Sequence, residues 1–254
     1  MKLRILGCSG GIGGASHTTS FLLDNDVLID AGTGVGSLSF SEMLEIDHVF
    51  LTHSHLDHIA SIPFLVDSVG YLRKRALTIH AIPETIDALK NHIFNDVIWP
   101  DFSLIPSADY PYMRYEPIGI GATCELEGRK ITALPANHTV PAVGYHLDSG
   151  SGSLAFSGDT TTNDAFWDAV NRIPNLKHLI VETAFSDSEL EIAKLSKHLC
   201  PSMLIEELKK LRKSIPVHIT HLKPGEANVI MREIEEGMSG ERPRMLTNGQ
   251  VFEF

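Results

Sequence analysis

Short apolar runs closed by Gly, Asp, Asn or His alternate along this chain with longer stretches of helical period. MKLRIL predicts a first strand, and SFLLD and DVLIDAG predict two more that turn back at Asn25-Asp26 as a hairpin. The glycines of GCSGGIGG would match a dinucleotide fingerprint only if they opened a helix. Strand-like TSFLL follows instead, so this stretch reads as a tight backbone loop. SLSFSEMLEI has helical character and leads into the apolar strand DHVFLTH. A helix is expected from Ile59 to Leu72, then the strand ALTIHAI and a helix from Glu84 to Ile93. The Pro-bounded insertion NDVIWPDFSLIP follows, packed by Trp99 and Phe102. The second half predicts strands at ITALPANH, VGYHLD and SLAFSGD, a helix from Asp164 to Val170, and the strand HLIVETAF. Helices at SDSELEIAKL and PSMLIEELKKLRK, the strand PVHITH, a helix at GEANVIMREIEE and a closing strand QVFEF complete it. Strands mixed with helices in this way suit two sheets with helices packed outside them. No linker or repeat divides the chain, so one α+β domain over residues 1–254 is expected.

Composition narrows the partners more than the fold. The 254 residues are 43% apolar and 21% charged, an ordinary globular profile. Net charge is -11, from 32 acidic against 21 basic residues, which argues against a nucleic-acid partner because a polyanion needs basic surface. The three cysteines, Cys8, Cys124 and Cys200, are scattered and form neither a disulfide framework nor a Cys-x-x-Cys knuckle. With no signal-like N-terminus and no apolar run near the roughly 18 residues of a membrane span, a cytoplasmic protein is expected.

The chemistry gathers where apolar runs end. THSHLDH places His53, His55, Asp57 and His58 directly after a predicted strand. His138 follows ITALPAN, His221 follows VHIT, Asp159 closes LAFSGD, and His198 comes after a helix. A rigid sheet aims side chains at its strand ends, while the loop leaves room for a ligand. His53 and His55 share one side of an extended segment, and Asp57 and His58 lie past a bend, so one loop can serve two metal ions. Imidazole and carboxylate suit zinc, with manganese or iron also accommodated. Two ions about 3.5–4 Å apart need a bridging carboxylate, and Asp159 is the natural candidate. Glu182 sits in an apolar strand, where an unpaired carboxylate is costly, so a partner is expected for it. His17 borders the Gly-rich loop, whereas His48, His80, His92, His146, His178 and His218 read as ordinary surface or core residues.

THSHLDH resembles the signature of the metallo-β-lactamase superfamily, and the later elements arrive in that family's order over nearly the whole chain. The resemblance implies a four-layer αβ/βα sandwich of two mixed sheets with the site at one edge. It implies that His53, His55 and His138 hold one metal and that Asp57, His58 and His221 hold the other. Asp159 would be shared, and Asp57 counts among the catalytic residues as well as the ligands. Within the superfamily, HSHLDHIASI, HIFNDVIWPDFS, NHTVPAVGYHL and KHLCPSMLIEEL are similar to the class II cyclic-nucleotide phosphodiesterases. Pro63 departs from that group's signature, in a position usually aliphatic. The implied activity is hydrolysis of a 3′,5′-cyclic nucleotide such as cAMP or cGMP, with two divalent metal ions, chiefly Zn2+, as cofactors. The tRNA 3′-end processing endonucleases share most of the metal motif and a histidine after the Glu-Ala/Thr-Phe strand, matched here by His198 beyond VETAF. That similarity makes His198 a candidate general acid or phosphate contact and Glu182 its orienting carboxylate. RNA hydrolysis is the alternative activity, and a metal-binding module without turnover is the alternative class. A homodimer is an expectation from superfamily analogy alone.

Overall fold

A computed structural model describes residues 1–240 and 242–254. The first sheet takes β1 (Lys2–Gly7), β2 (Ser20–Leu23), β3 (Val27–Ile29), β4 (His48–Phe50), β5 (Leu77–Ala81) and β6 (Met113–Pro117). The second takes β7 (Thr123–Leu126), β8 (Arg129–Pro135), β9 (Val143–Asp148), β10 (Ser153–Phe156), β11 (Leu176–Glu182), β12 (Val217–Thr220) and β13 (Arg244–Met245). The closing strand β14 (Val251–Glu253) returns to the first sheet beside β1. Strand orders are β14-β1-β2-β3-β4-β5-β6 and β13-β12-β11-β10-β9-β8-β7.

The alternation of each strand decides the layers, because successive side chains face opposite sides of a sheet. In β3, Val27 and Ile29 face the second sheet and meet Tyr145, Phe156 and Ile180 in the central core. Leu28 between them points outward, into a core shared with Leu65, Val66, Ile86 and Leu89. Those residues come from α3 (Ile62–Val69) and α4 (Pro83–His92), which follow α1 (Phe40–Glu45) and α2 (Leu56–Ile59) on that face. On the far side, Leu179, Val181 and Ile219 pack against Phe166, Trp167, Leu204, Ile230 and Ile234. These belong to α5 (Asp164–Arg172), α7 (Pro201–Leu208) and α8 (Ala227–Gly237), with the short α6 (Leu190–Leu195) between α5 and α7 in the chain. The result is helix, sheet, sheet, helix. No helix among the described residues is long and apolar enough to cross a membrane.

Three expectations are corrected. The helix predicted over Ile59 to Leu72 is two: α2 already contains Asp57 and His58, and α3 restarts at Ile62 with Pro63 in its first turn. Proline there fits a helix start, because its missing N–H would have no partner anyway. Strands β6, β7 and β13 go unsignalled by the apolar pattern, since each lies at or near a sheet edge and is largely exposed. The helix read from PSMLIEELKKLRK stops at Leu208, before its basic tail.

One core residue carries a pH cost. His218 of β12 is 5% exposed, and neither ring nitrogen has a hydrogen-bond partner among the described residues. Burial pushes its pKa down to about 4, helped by the neighbouring His178 and Arg244. The unfolded chain binds a proton there near pH 6.5 and the folded chain does not, so stability falls as pH drops from about 6.5 to 4. A His218→Leu variant is expected to unfold at the same or a higher urea concentration at pH 7. Its loss of stability between pH 7 and pH 4.5 should be smaller by roughly 1–3 kcal/mol, read from urea midpoints at the two pH values.

Candidate metal centre

Strands β3, β4 and β5 run parallel, as do β10, β11 and β12, so each group delivers its C-terminal residues to one edge. Thr52 and His53 leave β4 there, and His55 caps α2, whose first turn carries Asp57 and His58. His55 makes no capping bond with its side chain; its Nδ1 instead lies 3.1 Å from His138 Nε2. From the second sheet come His138 beyond β8, Asp159 beyond β10, Glu182 at the end of β11 and His221 beyond β12. Asp159 is reached through Gly158, whose φ is +61° and whose missing Cβ would sit 2.5 Å from the Val143 carbonyl oxygen. Only glycine fits that turn. His221 takes a φ of +66°, and Asp30, just past β3, takes +57°. Left-handed backbone at a non-glycine residue costs roughly 1 kcal/mol or more and clusters at functional sites.

The side chains converge. Donor atoms of His53, His55 and His138 lie within 4.8 Å of one another, and so do those of Asp57, His58, Asp159 and His221. A third group joins His138, Asp159 and His198. Asp159 stands between the first two clusters: its Oδ2 is 3.7 Å from His53 Nε2 and 3.3 Å from His58 Nε2, and its Oδ1 is 3.3 Å from His221 Nδ1. Asp57 Oδ2 lies 3.7 Å from both His58 Nε2 and His221 Nε2. His17 joins none of these groups. Trp99 packs edge-on against Phe64, and Phe102 is buried beside Phe94 and Tyr112, as expected of insertion packing.

Outside these clusters, a set of hydrogen bonds fixes the rings. Asp30 is fully buried and accepts from the Thr52 backbone N–H at 2.8 Å and from Thr52 Oγ1 at 2.9 Å. Its Oδ2 also lies 2.7 Å from His58 Nδ1, so that nitrogen carries a hydrogen and donates. The Thr52 hydroxyl has spent its own hydrogen on Asp30 and accepts from His53 Nδ1 at 2.9 Å. His138 Nδ1 donates to the Lys197 carbonyl at 3.1 Å. Each ring is thereby held at Nδ1, with its Nε2 left for the centre. Among the described residues, four buried atoms remain without partners there: His53 Nε2, His58 Nε2, Asp159 Oδ2 and His221 Nδ1. Orphaned buried polar atoms cost about 1–3 kcal/mol each, and two divalent cations, one per cluster, would answer all four.

Charge agrees with that arrangement. Burial pushes the His53 ring well down, His138 to about 4 and His221 to about 3, against the pull of Asp159. Neutral imidazole is the form a metal requires. Burial opposes charge at Asp159 too, but His221 and His58 hold its carboxyl well below the usual range. His58 goes the other way: burial is outweighed by Asp159 and Asp30, which raise it well above an ordinary histidine.

Beside the clusters, His198 Nδ1 lies 2.8 Å from Glu182 Oε1. Burial raises the Glu182 carboxyl, yet Thr160 N–H at 3.0 Å and Leu199 N–H at 3.4 Å also donate to it. Three donors keep it ionised, and the proton of the pair resides on His198, which Glu182 raises despite burial. The His198 ring stacks on His221 at 5.1 Å and meets His138 at 4.8 Å.

Asp30, Thr52 and Lys197 are parts that sequence reasoning missed. The one signal was Asp30 closing the apolar run DVLID. Asparagine at position 30 would present an N–H to His58 Nδ1, forcing the ring hydrogen onto Nε2 and removing the lone pair from the centre. Asp30→Asn is expected to weaken metal binding about 10–100-fold with the fold retained, measured by chelator competition alongside circular dichroism.

Residues 25–238 match the family described as "Beta-lactamase superfamily domain". The chain is 28% identical over 223 residues to a "Probable 3',5'-cyclic-nucleotide phosphodiesterase" of Yersinia pestis, covering 76% of this chain and 63% of that protein. It is 30% identical over 158 residues to a ribonuclease Z of Halorubrum lacusprofundi, covering 58% of this chain and 48% of that one. It therefore spans less than two thirds of the length of either relative. Among solved structures, unliganded yeast PDE1 superposes with a TM-score of 0.81 at 20% identity, covering 98% of each chain. The metallo-β-lactamase fold protein YhfI of Bacillus subtilis superposes at 0.77 and 21% identity, covering 99% of this chain and 98% of that one. The two sheets with helices outside are thus a metallo-β-lactamase fold, and the chain belongs to the β-lactamase superfamily.

Proposed function

We propose that the chain is a two-metal phosphodiesterase that hydrolyses 3′,5′-cyclic nucleotides to nucleoside 5′-monophosphates. Asp159 carries this reading: a buried carboxylate set between His53 on one side and His58 and His221 on the other, among unpartnered nitrogens. His53, His55 and His138 would hold one divalent ion, and Asp57, His58 and His221 the second, with Asp159 shared. Zinc suits these donors best, and manganese and iron also fit. When bound, such ions neutralise charge at the phosphate and acidify water.

The chain's own contribution is a proton. His198 is held at Nδ1 by Glu182, which keeps it protonated and leaves Nε2–H as the acid, and its ring groups with His138 and Asp159. The 3′-oxygen of a cyclic phosphate leaves as an alkoxide, so a positioned acid beside it lowers the barrier. The small cyclic substrate is favoured over RNA by the similarity to the Yersinia protein and by the net charge of -11, which opposes a long polyanion. Free cysteines at 8, 124 and 200 suit the reducing cytoplasm.

Metal-loaded protein should hydrolyse cyclic AMP or cyclic GMP to the 5′-monophosphate, and should hydrolyse bis(p-nitrophenyl) phosphate, with little cleavage of precursor tRNA. Efficient cutting of tRNA with cyclic nucleotides untouched would reverse the substrate assignment. Stoichiometric metal with no hydrolysis of any phosphodiester would make the chain a binding module.

A further inference from the structure

Strands β4, β5 and β6 run parallel, so Asp47, Ala76 and Tyr112 precede them at one end while His53 follows β4 at the other. A cleft of about 600 Å³ opens at the first of these ends. The five steps along the chain from His48 to His53 span about 16 Å when extended, so this cleft is separate from the metal centre. Its size suits a small organic ligand.

Its charge runs against that of the whole chain. Arg73, Lys74, Arg75 and Arg114 line it, opposed by the single carboxylate of Asp47. That carboxylate is already engaged: it pairs with Arg73, and its Oδ2 lies 3.4 Å from Arg75. The Arg73 side chain is only 5% exposed and also donates to the Leu44 carbonyl, which makes it part of the built wall. Its buried Nε has no partner among the described residues. Lys74 and Arg114 enter no salt bridge among the described residues; Arg114 reaches only the Asp109 carbonyl, at 3.5 Å. Glu45 lines the adjoining clefts, not this one. Four cations against one carboxylate leave a local excess of three positive charges in a chain whose net charge is -11.

Cations alone would accept any anion, and the aromatic lining narrows the choice. Tyr71 is 65% exposed and Tyr110 is 80% exposed, and both line the cleft together with Tyr112. Exposed rings beside unpaired cations match a ligand with a flat apolar face at one end and phosphate at the other. We propose that this cleft binds a nucleoside phosphate, with the phosphate held by Lys74, Arg75 and Arg114 and the base against a tyrosine ring. Binding here does not depend on the reaction proposed at the metal centre.

Calorimetry of the metal-loaded protein with AMP tests this. Two AMP sites per chain are expected, of which the metal-centre site is lost in His55→Ala and the cleft site persists. Lys74→Ala with Arg114→Ala should weaken the cleft site at least about tenfold without changing metal content. Tyr71→Ala should weaken AMP there about fivefold or more and leave inorganic phosphate unaffected. A single AMP site abolished by His55→Ala would overturn the proposal. So would unchanged AMP binding in the cleft variants, inorganic phosphate binding as tightly as AMP, or binding of a single-stranded oligonucleotide without binding of AMP. None of these readings requires that cyclic nucleotides be hydrolysed.

Discussion

Replacing Asp159 by alanine is expected to cut phosphodiester hydrolysis by at least about a thousandfold and to reduce the bound metal below two ions per chain. The carboxylate is 1% exposed and lies within 3.7 Å of nitrogens from His53, His58 and His221. Those rings reach it from two sheets, His53 and His58 from the segment after β4 and His221 from beyond β12. Asp57, the other carboxylate of the two clusters, approaches His58 and His221 but joins the second cluster only. Without Asp159 the only carboxylate left in the two clusters is Asp57, which serves the second alone, and this disfavours two cations close together. Elemental analysis of the purified variant, bis(p-nitrophenyl) phosphate turnover and a thermal melt check the three parts. Full metal content with wild-type turnover would falsify the two-metal reading. A folded variant that keeps one ion and loses turnover would support Asp159 as the shared residue.

What the sequence revealed depended on whether the relevant partners were near in the chain. THSHLDH was legible because four donors fall within six residues at the end of an apolar run. His138, Asp159 and His221 were legible for a related reason: each closes a strand, and parallel strands bring their ends to one edge. Glu182 declared itself as a carboxylate in an apolar strand, and its partner is indeed a histidine. Asp30 stayed hidden because its role exists only once β3 and β4 pair and bring it to His58, 28 residues away. The break between α2 and α3 was missed because their apolar period continues across it, while the helical ladder breaks where the Ser61 N–H turns to the Ala31 carbonyl. The edge strands β6 and β7 were missed because a half-exposed strand has no apolar run to announce it. The basic cleft was invisible for the same reason as Asp30: Arg73 to Arg75 and Arg114 are far apart until β5 and β6 align.

His198→Ala is the variant that separates proton donation from metal holding, through its dependence on the leaving group. A cyclic nucleotide expels an alkoxide and needs a proton at the departing oxygen, whereas p-nitrophenolate leaves readily without one. Loss of the general acid should therefore lower kcat for cyclic AMP by about 10²–10³-fold and for bis(p-nitrophenyl) phosphate by less than about tenfold. Glu182→Gln should act through the same ring. Glu182 raises the His198 pKa against the effect of burial, so with its charge gone that pKa falls. His198 would then lose its proton at a lower pH, and the alkaline limb of kcat for cyclic AMP should move towards acid, with metal content unchanged. The pH profile for the p-nitrophenyl ester should stay where it was. Because His198 also groups with His138 and Asp159, it has a rival role as a metal ligand. That role predicts equal losses on both substrates together with lost metal, and such a result would remove the general-acid assignment while leaving the metal centre intact.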